Sequence, residues 1–253
     1  MKRVKMIVAY DGTDYCGWQL QNNGITIEEV LNHHLSELLG EPIHVIGASR
    51  TDAGVHAEGN VAVFDTNARM AADRICYAMN TRLPGDIRIV DSMEVPADFH
   101  PRFCHTVKTY RYQISNRRFP NPLNRRYSLH YYWNLDEEKM QRGADYLVGE
   151  HDFTSFCTNN PAKPNHVRTI YEIRVERQGD MVSLYITGNG FLYNMVRIIA
   201  GTLLLVGTGK IEPEEVGRIL EAKDRQLAGD TARPEGLTLM EIRYVDGNDR
   251  WQK

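Results

Sequence analysis

A chain of 253 residues, 42% of them hydrophobic, can build two modest domains or one large one. The formal net charge of −3, taken as a total, argues against a nucleic-acid partner, since such affinity rests largely on neutralising phosphates. No segment is repetitive or disordered in composition, so an ordered globular protein is expected.

In chain order, Lys5 to Tyr10 alternates as a strand, and Thr26 to Leu39 has helical apolar spacing with Thr26 as its N-cap. Val61 to Phe64 reads as a strand, Ala71 to Thr81 as a helix and Ile87 to Val90 as a strand. The second part repeats the theme. Thr109 to Ile114 is a strand and Asp136 to Leu147 a helix. Thr169 to Val175 and Val182 to Thr187 form a hairpin around Gln178-Gly179-Asp180. A long helix spans Leu192 to Val206, and Leu239 to Tyr244 is a strand. The reading is an α+β fold of two β-α-β-β-α-β (ferredoxin-like) halves, residues 1–103 and 104–253.

Several classes drop out. The N-terminal apolar run ends at Asp11, too short for a signal peptide, and the apolar stretch Met195 to Gly207 is too short for a bilayer and contains Arg197. No membrane partner and a cytoplasmic location are expected. Cys16, Cys76, Cys104 and Cys157 form no Cys-x-x-Cys pair, and neither a Walker loop nor a dinucleotide fingerprint occurs. His33-His34 falls in a helix, where adjacent side chains are expected to point apart, so no metal site is expected.

The run RTDAGVHA, Arg50 to Ala57, is the most informative local feature. It sets Asp52 between a cation and a small-residue turn: Ala53-Gly54 permits close backbone approach to a ligand, and Arg50 offers a planar donor fork. The competing reading is a strand end entering a turn, with Asp52 capping backbone N–H groups and Arg50 solvated.

Charge distribution outweighs the total. From Phe99 to Leu135 there is no acidic residue, while Arg102, Lys108, Arg111, Arg117, Arg118, Arg125 and Arg126 interleave with Phe103, Tyr110, Tyr112, Phe119, Tyr127, Tyr131 and Tyr132. Cations for phosphates and rings for stacking point to a polyanion-facing surface. The alternative is that Tyr110 and Tyr112 are core rings and the arginines ordinary loop charges. Acidic residues gather at Glu28-Glu29, Asp136 to Glu138 and Glu212 to Glu215, near expected helix starts. Arg197, among Met195, Val196, Ile198 and Ile199, has little polar face around it and needs a carboxylate partner if buried, the alternative being a snorkelling side chain.

Eight segments line up in order with one family: YDGTDYCGWQLQ (Tyr10 to Gln21), RTDAGVHA, LPGDI (Leu83 to Ile87), FHPRF (Phe99 to Phe103), KTYRY (Lys108 to Tyr112), GEHDFTSF (Gly149 to Phe156), GFLYNMVR (Gly190 to Arg197) and EGLTL (Glu235 to Leu239). On these residues the chain resembles the TruA family of tRNA pseudouridine synthases. The resemblance implies two halves in one continuous antiparallel sheet, with helices on one side and a cleft between the halves. It implies isomerisation of uridines 38 to 40 in the tRNA anticodon stem-loop, without cofactor, by a homodimer. Asp52 is then the catalytic aspartate, Tyr110 packs on the target base, Arg197 pairs with Asp52, Arg50 holds or replaces the flipped base, and Leu192 belongs to the substrate-binding wall. Three positions depart from the pattern: Ser49 stands where Gly is common, Asn60 where Gln is common and Arg233 where Pro is common. Two rivals remain, a non-catalytic RNA-binding protein on the same scaffold and an Asp-dependent glycosidic hydrolase, which usually needs a second carboxylate or a metal.

Overall fold

The computed structural model describes residues 1–158 and 165–245. In chain order the elements are β1 (Lys2–Tyr10), α1 (Ile27–Leu39), β2 (Ile46–Gly47), β3 (His56–Thr66), α2 (Ala72–Asn80), β4 (Ile87–Val95), β5 (Thr106–Asn116), β6 (Leu129–Tyr131), α3 (Glu137–Asp145), β7 (Gly149–Asp152), β8 (Val167–Gln178), β9 (Met181–Gly188), α4 (Met195–Gly207), α5 (Glu214–Ala222) and β10 (Leu237–Tyr244). The fold is mixed α+β and mostly antiparallel; β6 is an exception, running parallel to β5. Two compact units divide the chain: Met1–Thr106 with the segment from Leu239, and Val107–Thr238. This differs from halves at 1–103 and 104–253 in that β10, from Leu239, is grouped with the first unit.

In the first unit the order β1-α1-β2-β3-α2-β4 produces the strand arrangement β4-β1-β3-β2, the ferredoxin-like order. β1 buries Val4, Met6, Val8 and Tyr10 on one face, as a period of two requires, with Lys5 also buried between the first two. Thr26 caps α1, its hydroxyl accepting the Glu29 N–H at 3.3 Å, and Gly40 ends the helix in the left-handed conformation. Ile27, Leu31 and Leu35, spaced by four, form its buried stripe, each contributing about 1.5–3 kcal/mol. β2 has only two residues, pairing Ile46 with Val63 and Gly47 with Ala62. β1 covers the other edge of β3, so β10 follows β2 along the free one. Gly59 permits this approach: a Cβ there would lie 2.7 Å from the Met240 carbonyl oxygen.

In the second unit β5, β9, β8 and β7 are neighbours in that order, and β8 and β9 turn through Gly179-Asp180 with Gln178 paired to Met181. Tyr110, Tyr112 and Ile114 of β5 lie opposite Ile186, Leu184 and Val182 of β9, all six buried. The helix expected from Leu192 begins at Met195, because Asn194 adopts φ +61° and breaks the helical path. At the other helix starts, Asp136 caps α3 through the Lys139 N–H, and Glu214 and Glu215 open α5. No described helix is long and apolar enough to cross a membrane.

Candidate functional site

Asp52 opens a tight turn in the first unit. Its carbonyl accepts the Val55 N–H at 3.1 Å, and Gly54 carries φ +77°, the left-handed position where a side chain costs most. Ala53 is exposed at the tip and Asp52 half-buried. A second segment, Tyr10 to Trp18, cradles this turn. The Tyr15 carbonyl accepts the Gly54 N–H at 3.3 Å, the Trp18 backbone N–H donates to the Thr51 carbonyl at 3.1 Å, and the Tyr10 and Thr51 hydroxyls lie 2.8 Å apart. Two glycines allow the approach: a Cβ on Gly12 would lie 2.0 Å from the Val55 carbonyl oxygen, and one on Gly17 2.6 Å from that of Thr51. Buried His56 closes the far end, its Nδ1 accepting the Gly12 N–H at 3.1 Å and lying 3.2 Å from Asp11 Oδ1. Tyr15 is tied down through its hydroxyl, which donates to Asp86 at 2.7 Å; burial and that carboxylate push its pKa well above the ordinary value. Sequence reasoning did not single out Tyr10, Gly12, Gly17 or His56 for this task. The two motifs were visible, but not that one wraps the other.

Arg50 is exposed beside the turn. Arg102 donates through Nε to the Gly47 carbonyl at 2.7 Å, and burial together with the Arg50 charge lowers its pKa, against the pull of Glu28. Arg102 is therefore anchored to the scaffold, with Arg50 close enough to be felt.

In the second unit, Tyr110 is buried on β5 with its ring edge-on to Phe191, centroids 5.1 Å apart. Tyr112 is fully buried and its hydroxyl donates to the Arg233 carbonyl at 2.8 Å, so this ring belongs to the core and not to a stacking surface. Strand alternation places Lys108 on the Tyr110 face and Arg111 on the opposite one, beside Thr109. Leu192 is buried in the turn before α4. Arg197 sits in the first turn of α4, half-buried. Its Nε donates to the Ala232 carbonyl at 2.7 Å, its Nη1 to Asn194 Oδ1 at 3.0 Å, and its own carbonyl accepts the Ala232 N–H at 3.1 Å. A cation at a helix N-terminus opposes the helix dipole, so the guanidinium is held there by specific acceptors.

The basic segment lies between β5 and α3. Arg117, Arg118 and Arg125 are exposed and Arg126 half-buried. Arg118 lies over the Phe119 ring, 5.1 Å from its centroid, Arg125 bonds the Pro122 carbonyl, and Arg117 meets Asp180 of the β8–β9 turn at 3.8 Å. Phe119, Leu123, Tyr127, Tyr132 and Trp133 are exposed alongside. Asn116 closes the base of the segment, its Nδ2 donating to the carbonyls of Tyr131 and Trp133 at 3.0 and 2.7 Å.

One expectation is overturned on α1. His33 and His34 do not point apart: their rings meet edge-on with centroids 5.0 Å apart, and both face Glu37, at 3.5 and 3.8 Å. Glu37, four residues after His33 and three after His34, is a shared partner on the next turn that draws both rings to one side. The three donor atoms lie within 4.8 Å of one another, so this group could hold an ion; it is largely exposed and stands apart from the Asp52 turn in sequence.

Comparison with known proteins places this α+β chain in the class of the pseudouridine synthases. The family model described as tRNA pseudouridine synthase matches residues 6–104 and 144–245, which include Asp52 and Arg197 but not Tyr110 or the basic segment. Proteins named tRNA pseudouridine synthase A from Thermoanaerobacter sp. (strain X514), Acetivibrio thermocellus and Brevibacillus brevis are 46%, 48% and 48% identical over 244 residues, covering 96% of this chain and 100% of each relative. The chain belongs to the tRNA pseudouridine synthase family. A solved Cbf5-Nop10-Gar1 complex aligns with 95% of this chain and 48% of its own at 13% identity and a TM-score of 0.34.

Proposed function

We propose that this protein isomerises uridine to pseudouridine in tRNA, at positions 38 to 40 of the anticodon stem-loop, as a cytoplasmic homodimer that uses no cofactor. The observation that carries the reading is a half-buried aspartate fixed in a rigid turn, in a chain nearly half identical to proteins named for this reaction. The reaction breaks the N1–C1′ bond, turns the uracil, rejoins it through C5 and releases the C5 proton. Uracil is its own electron sink, so one carboxylate suffices. Asp52 serves as nucleophile at uracil C6 or ribose C1′, or as the base that removes the 2′ proton and lets a glycal form.

Arg197 pairs with Asp52 in this proposal and keeps it ionised, since an opposite charge lowers a carboxylate pKa while desolvation raises it. Tyr110 stacks on the uracil, Leu192 lines the site and Arg50 holds or replaces the flipped base. Flipping costs a few kcal/mol in general, and phosphate contacts from Arg102, Lys108, Arg111, Arg117, Arg118, Arg125 and Arg126 offset it. The experiment is tritium release from C5-labelled uridine in tRNA by purified protein without added metal or cofactor. Release is expected, and Asp52→Asn abolishes it while leaving the fold and most tRNA affinity intact. A protein that binds tRNA and releases no tritium is the non-catalytic rival.

A further inference from the structure

We infer that Asn60, Tyr10 and Thr51 form a buried relay that positions Asp52 for the reaction. This rests on Asp52 being the catalytic carboxylate. β2 pairs with β3 only at Ile46 and Gly47, and the Ala48 N–H then donates to the Val61 carbonyl at 2.7 Å. Beyond that point the backbone ladder stops and a side chain continues it. Asn60 of β3 accepts the Ser49 N–H on Oδ1 at 3.3 Å and donates Nδ2 to the Ser49 carbonyl at 3.0 Å, so one carboxamide makes both bonds that a strand would make. The same Nδ2 lies 3.3 Å from the Tyr10 hydroxyl, which lies 2.8 Å from Thr51 Oγ1. Ser49 and Thr51 are thereby held on either side of Arg50, and Thr51 precedes Asp52. Asn60 is fully buried and Tyr10 and Thr51 nearly so, in a setting where each of these bonds is costly to leave unmade.

The arrangement solves a specific problem. Arg50 and Asp52 must leave the sheet for the loop to form, yet loop backbone without a ladder is free to wander. A side chain anchored in β3 supplies the missing bonds while letting the chain turn away. Ser49 and Asn60 are direct partners, eleven residues apart and joined at both backbone groups of Ser49.

Tyr10, Asn60 and Thr51 are positioning residues, so their loss should show in kcat at saturating tRNA and not in KM. The variants are Tyr10→Phe and Thr51→Val, which remove one hydroxyl each from opposite ends of the same bond, their double combination, Thr51→Ser, which keeps the hydroxyl, and Asp52→Asn. Each is assayed by tritium release, with circular dichroism as the check on folding. Both single variants should lower kcat roughly 10- to 100-fold, the usual effect of misplacing a reacting group by about 1 Å. KM should stay within about twofold, Thr51→Ser should restore most of kcat, and the double variant should fall no further than the worse single one. If Tyr10→Phe fails to fold, Thr51→Val and Thr51→Ser test the same bond alone. Wild-type kcat in the folded hydroxyl variants, or multiplicative losses in the double, with Asp52→Asn inactive, overturns the relay. Turnover by Asp52→Asn overturns instead the assignment of Asp52, and the relay's purpose with it.

Discussion

The guanidinium of Arg197 shows how much one side chain can be asked to do. It spends Nε on the Ala232 carbonyl and Nη1 on Asn194, which fixes its plane at the start of α4. In the proposed mechanism it also carries the charge that keeps Asp52 ionised. Arg197→Met retains most of the apolar bulk and removes the cation. In that proposal the loss leaves the half-buried Asp52 carboxylate without its cation, and an unpaired, partly desolvated carboxylate favours its protonated form. Activity should fall near neutral pH and return in part as pH rises. The double variant Asp52→Asn, Arg197→Met should melt higher than Arg197→Met alone; additive melting shifts and a flat pH response would show that the two residues do not interact.

At the scale of elements, the segment Tyr10 to Trp18 and the turn at Asp52 behave as one unit because glycine lets two backbones touch. Gly12→Ala places a methyl group 2.0 Å from the backbone oxygen of Val55, where neither partner can yield without moving the Asp52 turn. Gly40→Ala is the control. Gly40 has φ +70°, a strain Gly12 does not carry, but a Cβ there meets nothing within 4 Å, so its cost is the conformational one alone, about 1–2 kcal/mol. Gly12→Ala is expected to lose most activity and more stability than Gly40→Ala, which should keep wild-type kcat. Thermal melts and tritium release on the two proteins decide it, and equal loss of kcat in both would refute the cradle.

For the whole molecule, the net charge of −3 conceals a segregation of charge, and two solution properties follow. Neutralising Arg117, Arg118, Arg125 and Arg126 together should weaken binding to all tRNAs and flatten the dependence of affinity on salt, because each lost phosphate contact releases fewer counterions. An unchanged salt slope would remove that segment from the RNA surface. Acid stability is the second property. Asp65 is held below its ordinary pKa of 3.8 by its hydrogen bond to Arg3, Asp152 by Thr154 and Lys223, and Glu137 below 4.5 by Arg177. Because the folded values are depressed, the stability these groups supply is complete above the ordinary carboxylate range and is lost as pH falls through it toward the folded values. Denaturant titrations should therefore show a plateau above about pH 5 and a decline below about pH 4. Asp65→Asn should flatten part of that decline.

The sequence alone determined what depends on neighbours a few residues away. Period-two alternation marked β1 and β5, the spacing of Ile27, Leu31 and Leu35 with a Thr26 cap marked α1, and Gly179-Asp180 marked the β8–β9 turn. The RTDAGVHA run singled out Asp52 because its residue types are unusual together. Tertiary structure decided the rest. The two-residue β2 and three-residue β6 have no local signature, and α4 starts at Met195 because Asn194 takes a conformation that apolar spacing does not encode. Tyr110 and Tyr112 alternate alike along β5, yet the Tyr112 ring is fully buried with its hydroxyl tied to Arg233, a partner more than a hundred residues away. The cradle around Asp52 is made largely of backbone carbonyls and N–H groups, which every residue carries. Their partners are chosen by the packing of distant segments and leave no trace in the residue types themselves.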